Sequence, residues 1–199
     1  MWLDDGAVVK NIINPEKSKK RKKKLLWLIN MSRRNIGKST VHRLLLQSAP
    51  GGRVSDDAAE EAQKSVVEYL EKAGQAAADH LAIAKRKTVN KDIAEKVLMN
   101  GCMGVTKSAL KYTQGEQRGL AVAGCVRAFS HEGKKGKKSS GLGFNISDEA
   151  KKMIAAGAEA FVDQLGKRAR QVVVEMTTKK EDPRSTIKGR DIRVALLAM

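Results

Sequence analysis

Only two cysteines, Cys102 and Cys125, stand in the 199 residues. Neither has a second Cys or a His at zinc-ligand spacing. A disulfide framework is excluded, and both read as small buried residues. Three prolines leave few forced breaks, so long helices are permitted. Aromatic residues are 4% of the chain. A core must therefore be built from Ala, Val, Leu, Ile and Met, and single-stranded nucleic acid would find few stacking platforms. No apolar run approaches the roughly 18 residues of a membrane span. "LLWLI" at 25–29 is too short for a signal-peptide core and lacks a small-residue cleavage site. His42, His80 and His131 lie far apart in sequence, which suits surface or packing roles rather than a metal site. No paired carboxylates, nucleophile–base pair or metal cluster is spaced for chemistry. An enzyme, a cofactor and a small-molecule substrate are all unexpected.

What the chain has in excess is positive charge. The formal net charge is +17 and the pI is about 10.0, beyond what solubility requires. Such a field attracts polyanions, nucleic acid before an anionic membrane surface. The densest block is "KSKKRKKK", with Lys17, Lys19, Lys20, Arg21, Lys22, Lys23 and Lys24. Blocks of like charge repel themselves, so residues 1–38 are expected to form a disordered basic tail, a phosphate-binding arm or an import signal. "MSRRNIGKST" from Met31 reads as a natural start, which would make residues 1–30 an upstream extension. "GKST" at 37–40 resembles the end of a phosphate-binding loop. That motif needs a Gly where Ser32 stands, so Ser39 or Thr40 reads better as a helix cap.

The rest of the chain repeats one grammar. Val41, Leu44 and Leu45 mark a short amphipathic helix ended by "SAPGG". "RVSDDA" follows, where Ser55 can cap a new helix with acidic residues in its first turn. Ala62, Val66, Tyr69, Leu70, Ala73, Ala77, Leu81 and Ala84 then recur at helical spacing. This predicts a helix of about 28 residues, about 42 Å long. "KRKTV" breaks it and "NKDIAEKVL" is a second short helix. Later Val122, Val126 and Phe129 mark another short helix, followed by a basic Gly-rich loop containing "KKGKK" at 134–138. "NISDEA" echoes "RVSDDA", and a long stripe runs through Ala150, Ile154, Phe161, Leu165, Val172 and Met176. "RSTIKGRDI" then echoes "RKTVNKDI". A long apolar stripe cannot be covered by two short helices of its own. Two such units can cover each other's stripes, so the repeat predicts an all-α intramolecular pseudo-dimer.

Short helix, loop, long helix, loop, short helix, with "GGRVSDDA" at the first loop and "AKRKTV" at the second, resembles the histone fold. The chain is similar to a histone doublet: two fused histone folds, like archaeal-type and eukaryotic core histones and the doublets of large nucleocytoplasmic DNA viruses. The expected organisation is a tail over 1–38, fold 1 over 39–98, a connector over 99–118 and fold 2 over 119–199. "VHRLL" and "VVEYL" resemble the 2A-type core histones; "NISDEA" and "RSTIKGRDI" resemble the 2B-type.

The resemblance implies that each first loop lies beside the second loop of the other fold, presenting amides and cations to DNA phosphates. One implied set is Lys85, Arg86 and Lys87 with Ile146 and Ser147. The other is Arg184, Ser185 and Thr186 with Arg53, Val54 and Ser55. Arg53 is the implied minor-groove arginine, partnered by Thr88 of its own unit; Asn145 holds the matching place in the second unit. Arg43, Arg118 and Arg127 are further phosphate candidates. Two Arg–Asp clamps are implied, Arg184 with Asp191 and Arg86 with Asp92, the second one residue short of the family spacing. The implied function is packaging of double-stranded DNA largely without sequence specificity, with other doublets as partners. The expected location is chromatin: host nucleus, viral factory or virion, or an archaeal nucleoid. The competing expectation is a histone-fold transcription-factor subunit that acts through heterodimerisation.

Overall fold

A computed structural model describes residues 36–102, 105–115, 119–131, 142–177 and 185–199. The first unit consists of α1 (Lys38–Ser48), β1 (Arg53–Val54), α2 (Asp56–Ile83), β2 (Thr88–Val89) and α3 (Lys91–Gly101). A further helix, α4 (Lys107–Gly115), lies between the units. The second unit consists of α5 (Val122–Phe129), β3 (Asn145–Ile146), α6 (Asp148–Thr177), β4 (Thr186–Ile187) and α7 (Gly189–Leu197). The expected short–long–short order is therefore present twice. The first long helix has 28 residues, the length its stripe implies.

Packing crosses between the units. The second unit's long helix, α6, is touched by α1 and α3 of the first unit; the first unit's long helix, α2, is touched by α5 and α7 of the second. Each long helix thus buries its stripe against helices of both units, which is how two insufficient cores become one. At the centre Tyr69 and Phe161 stack with ring centroids 4.5 Å apart and planes 7° from parallel. Each is the fourteenth residue of its helix, so the pair marks the pseudo-two-fold axis. The Tyr69 hydroxyl donates to the Leu98 carbonyl at 2.7 Å, which satisfies the one polar atom this stack buries. Glycines let the short helices approach. A Cβ at Gly74 would overlap the Phe129 carbonyl oxygen, and one at Gly166 would lie 2.8 Å from Ser48 Cβ. Both are nineteenth residues of their long helices.

Several local expectations need correction. Gly37, not Ser39 or Thr40, holds the N-cap position of α1, with no side-chain cap. Its carbonyl already accepts the first helical hydrogen bonds from the Thr40 and Val41 amides. Ser55 sits at the N-cap of α2 but does not cap it; its hydroxyl donates to Ile187 of the other unit at 2.9 Å. The apolar stripes also run past their cover: Ala84 is exposed, as are Val122 and Met176, at 40% and 55%. Among the described residues no helix is long and apolar enough to cross a membrane.

Candidate nucleic-acid interface

Extended residues before and after each long helix pair in parallel across the units. In β1–β4 Arg53 stands opposite Thr186 and Val54 opposite Ile187. In β2–β3 Thr88 stands opposite Asn145 and Val89 opposite Ile146. The two pairs are built alike. The Arg53 amide donates to Ser185 at 3.1 Å and the Ser55 amide to Ile187 at 3.0 Å; the Asn145 amide donates to Lys87 at 2.8 Å and the Ser147 amide to Val89 at 3.0 Å. Thr88 is therefore not the neighbour of Arg53. The loops pair between units, because β1 and β2 sit at opposite ends of one long helix, about 42 Å apart at 1.5 Å per residue.

At the β1–β4 end, Arg53 and Ser185 are exposed, and Val54, Ser55 and Thr186 are half-buried. His42 Nε2 lies 3.0 Å from the Val54 carbonyl and steadies β1 from α1. Arg170 of α6 sends Nη1 to the Ser185 carbonyl at 3.4 Å, and its Cδ faces the space a side chain at Gly52 would take, at 3.7 Å. Nothing in the sequence singled out Arg170, which reads as part of a solvated helix face. At the β2–β3 end, Lys85, Arg86, Lys87 and Thr88 are exposed, and Ile146 and Ser147 half-buried. Lys85 ends α2 in the left-handed region, at φ 52, with the Arg86 amide closing the helix on Leu81 at 3.0 Å. A non-glycine there stores about 1 kcal/mol of strain, and it turns three consecutive cations outward.

Some lysines along the helices are paired: Lys64 with Glu60 and Glu61, Lys107 with Glu95, Lys151 with Asp148, Lys167 with Asp163; Lys72, Lys91, Lys96, Lys111 and Lys152 form no ion pair with any described residue. Arg53, Lys85, Arg86 and Lys87 form no ion pair with any described residue. Nor do the Thr88 and Thr186 hydroxyls bond to any described residue. Both ends thus present cations and hydroxyls that no described residue engages.

The last helices are held differently. Asp191 is buried, 2% exposed; its Oδ2 accepts the Lys188 amide at 2.8 Å and its Oδ1 lies 3.8 Å from Arg190 Nε. Its expected clamp partner Arg184 lies outside the described residues, as do Arg118, Lys17, Lys19, Lys20, Arg21, Lys22, Lys23, Lys24 and the 134–138 lysines. The Arg86–Asp92 clamp is absent. Asp92 is exposed and forms no hydrogen bond or ion pair with Arg86; it stands four residues after Thr88, where Asp191 stands five after Thr186. Asn90 caps α3 instead, Oδ1 accepting the Ile93 amide at 3.0 Å. For α7 a first-turn amide is taken from across the molecule: Asp57 Oδ2 accepts the Gly189 amide at 2.9 Å. The Ser55 hydroxyl and that amide hold the Asp57 carboxyl below its ordinary value. Arg43 lies apart from the strand pairs, its guanidinium against Gly119 at the entry to α5, and Arg127 is half-buried in the last turn of α5. The α5 entry has its own anchor, the buried Glu159, whose Oε1 accepts the Leu120 amide at 2.9 Å. Burial, with Glu159 nearby, pushes the Cys125 thiol up to about 12, so Cys125 stays a protonated packing residue. Among the described residues no three His, Cys, Asp or Glu side chains gather as a metal site would require.

Two interlocked short–long–short units, joined by parallel loop pairs, have the architecture of the histone fold. The family model described as "Histone-like transcription factor (CBF/NF-Y) and archaeal histone" matches residues 34–98, the first unit. The structure extends the likeness. The crystal structure of the histone from Methanopyrus kandleri superimposes with a TM-score of 0.61 at 20% identity, covering 80% of this chain and 92% of that one. Coverage of 80% is more than either unit could supply alone. No curated protein matches the sequence.

Proposed function

We propose that this chain is a histone doublet that packages double-stranded DNA, largely without sequence preference. The observation that carries this reading is the pair of basic loop junctions, one at each end of a long helix. Their separation of about 42 Å is near the 34–36 Å of one DNA turn. A duplex curved over the molecule can therefore offer phosphates to both junctions as the same groove faces inward. At one end the contacts are Arg53, Ser185 and Thr186, with Arg170 behind them. At the other they are Lys85, Arg86, Lys87, Thr88 and the amide-rich start of α6. Binding of this kind is mainly to the backbone and falls as salt rises.

Residues 1–38 act as a basic arm, 39–98 and 119–199 as the two folds, and 99–118 as the connector between them. Other doublets are the natural protein partners. On the second unit Val174, Met176, Val194 and Leu197 are exposed, Leu197 at 90%, and these can pack against a neighbour. The protein would then reside in chromatin. The first unit alone has as many Asp and Glu as Lys and Arg, nine of each over 39–98, and its matching family includes transcription factors. That combination supports a heterodimeric transcription-factor subunit as the second reading.

Micrococcal nuclease digestion of long DNA carrying the purified protein, at rising salt, separates the two. A protected ladder of regular step, lost as salt rises, is expected of a packaging doublet. Protection confined to one sequence would favour the transcription-factor reading, and a smear would reject wrapping.

A further inference from the structure

The two loop junctions have the same backbone pairing and different side chains at one matched position, Arg53 in one and Asn145 in the other. Arg53 and Asn145 each stand three residues before the start of a long helix. Each faces a threonine of the other unit, Thr186 and Thr88 respectively. Each has its amide on the carbonyl of the residue before that threonine. Arg53 is exposed and has no ion-pair partner among the described residues; Asn145 is equally exposed and uncharged. The molecule therefore has one arginine where its pseudo-symmetry provides two places.

We infer that this single arginine orients the doublet on DNA, Arg53 choosing the narrower minor groove and the Asn145 junction accepting either width. The inference rests on the DNA-binding reading above. The physical ground is general. A narrow minor groove, as in A-tracts, concentrates negative potential and draws in a guanidinium, whereas a neutral amide gains little from it. The lysine-rich junction does not compensate. Lys87 adjoins the Asn145 position, its carbonyl accepting the Asn145 amide, and Lys85 and Arg86 precede it in the loop that follows α2; none of the three stands at the place matched to Arg53. They hold phosphates, which are the same in every sequence. One end of the protein thus reads groove shape and the other reads charge alone, so a site of uneven groove width is bound in one direction.

A single-pair fluorescence transfer measurement tests this. Ile83, 86% exposed at the β2–β3 end, is replaced by cysteine and labelled; the two native cysteines are buried. The acceptor is placed at one end of a duplex of about 30 base pairs, roughly three turns, with an A-tract at either the near or the far end. Binding is followed separately by mobility shift. A several-fold preference for the orientation that puts Ile83 away from the A-tract is expected. It should vanish in Arg53→Asn and reverse in the double variant Arg53→Asn/Asn145→Arg, while overall binding falls only modestly. Equal populations in the unsubstituted protein, or a preference that survives Arg53→Asn, would overturn the inference and leave DNA binding standing. Loss of binding to both duplexes by the unsubstituted protein would instead reject the DNA-binding reading itself.

Discussion

Nine basic side chains meet nine acidic ones in residues 39–98, whereas residues 119–199 carry sixteen against nine. The connections differ as well. Residues 49–52 join the first short and long helices of the first unit, but 130–144 do so in the second; 84–87 join the next pair in the first unit, but 178–185 in the second. Yet key positions of the two skeletons match when counted from the start of each long helix. Tyr69 matches Phe161, Gly74 matches Gly166, Ser55 matches Ser147, and Thr88 matches Thr186 in the strand pairs. The fold is thus specified by few positions: an aromatic pair at the axis, a glycine where each short helix presses on the opposite long one, and a serine before each long helix. Charge and loop length were free to diverge around them.

The largest effects should come from testing whether matched positions are equally constrained. Both glycines accept a short helix, but they meet different atoms. At Gly74 an added Cβ runs into the Phe129 backbone, which moves only if α5 moves. At Gly166 it meets the Ser48 side chain at 2.8 Å and Leu45 Cδ2 at 3.5 Å, which can adjust. Gly74→Ala should cost about 3 kcal/mol or more despite the better helix propensity of Ala. Gly166→Ala should cost about 1–2 kcal/mol. Urea unfolding of the two variants decides the matter. Equal losses would mean that the interface relaxes symmetrically and that backbone contact at Gly74 is no special constraint.

The last helices give the next contrast. Asp191 is buried and accepts the Lys188 amide, while Asp92, which follows the second loop in the first unit, is exposed. Removing Asp191 leaves the half-buried Lys188 amide without its acceptor. Asp191→Ala should therefore cost about 2–3 kcal/mol. Asp92→Ala should cost about 0.5 kcal/mol or less, since Asn90 caps that helix without it. Thermal melts of the pair suffice. A melting temperature unchanged by Asp191→Ala would refute the buried-acceptor account.

How much of this could be read from sequence depends on distance along the chain. The short–long–short order was legible because stripes, Ser-Asp helix starts and the "KRKTV" break are all local signals. The pseudo-dimer followed from the mismatch between one long stripe and two short helices. The contacts that refine the interface have no such signal. Asp57 reaches Gly189 across 132 residues, Glu159 reaches Leu120 across 39, and Arg170 reaches Ser185 across 15; each arises only once the units have packed. The Arg53–Thr88 assignment failed for the same reason: it placed within one unit a neighbour that the parallel strands draw from the other. The Arg86–Asp92 clamp failed on register. Asp92 stands four residues after Thr88, where Asp191 stands five after Thr186, and the capping falls to Asn90.

The smallest predicted effect concerns that borrowed amide. At the start of α7 the Gly189 amide has no acceptor within its own helix, and Asp57 of the other unit supplies one. The Ser55 hydroxyl and the Gly189 amide favour the ionised carboxylate, so the folded-state value lies below the ordinary 3.8. A depressed value means that the stabilisation is fully present above about pH 4 and is lost as pH falls through the folded value. Asp57→Asn keeps an oxygen for the amide but removes the charge, and it cannot titrate. Asp57 is exposed, so solvent screening limits the difference to a few tenths of a kcal/mol. The unsubstituted protein should be the more stable near pH 6, and its advantage should shrink below about pH 4. Glu149, the matched residue of the second unit, provides the control as Glu149→Gln. If the Asp57→Asn and Glu149→Gln stability curves run parallel through the acid range, the cross-unit cap contributes nothing beyond an ordinary acidic residue in a first turn. If only the Asp57→Asn curve diverges, one unit ties down the last helix of the other through a bond that its counterpart replaced with Asn90.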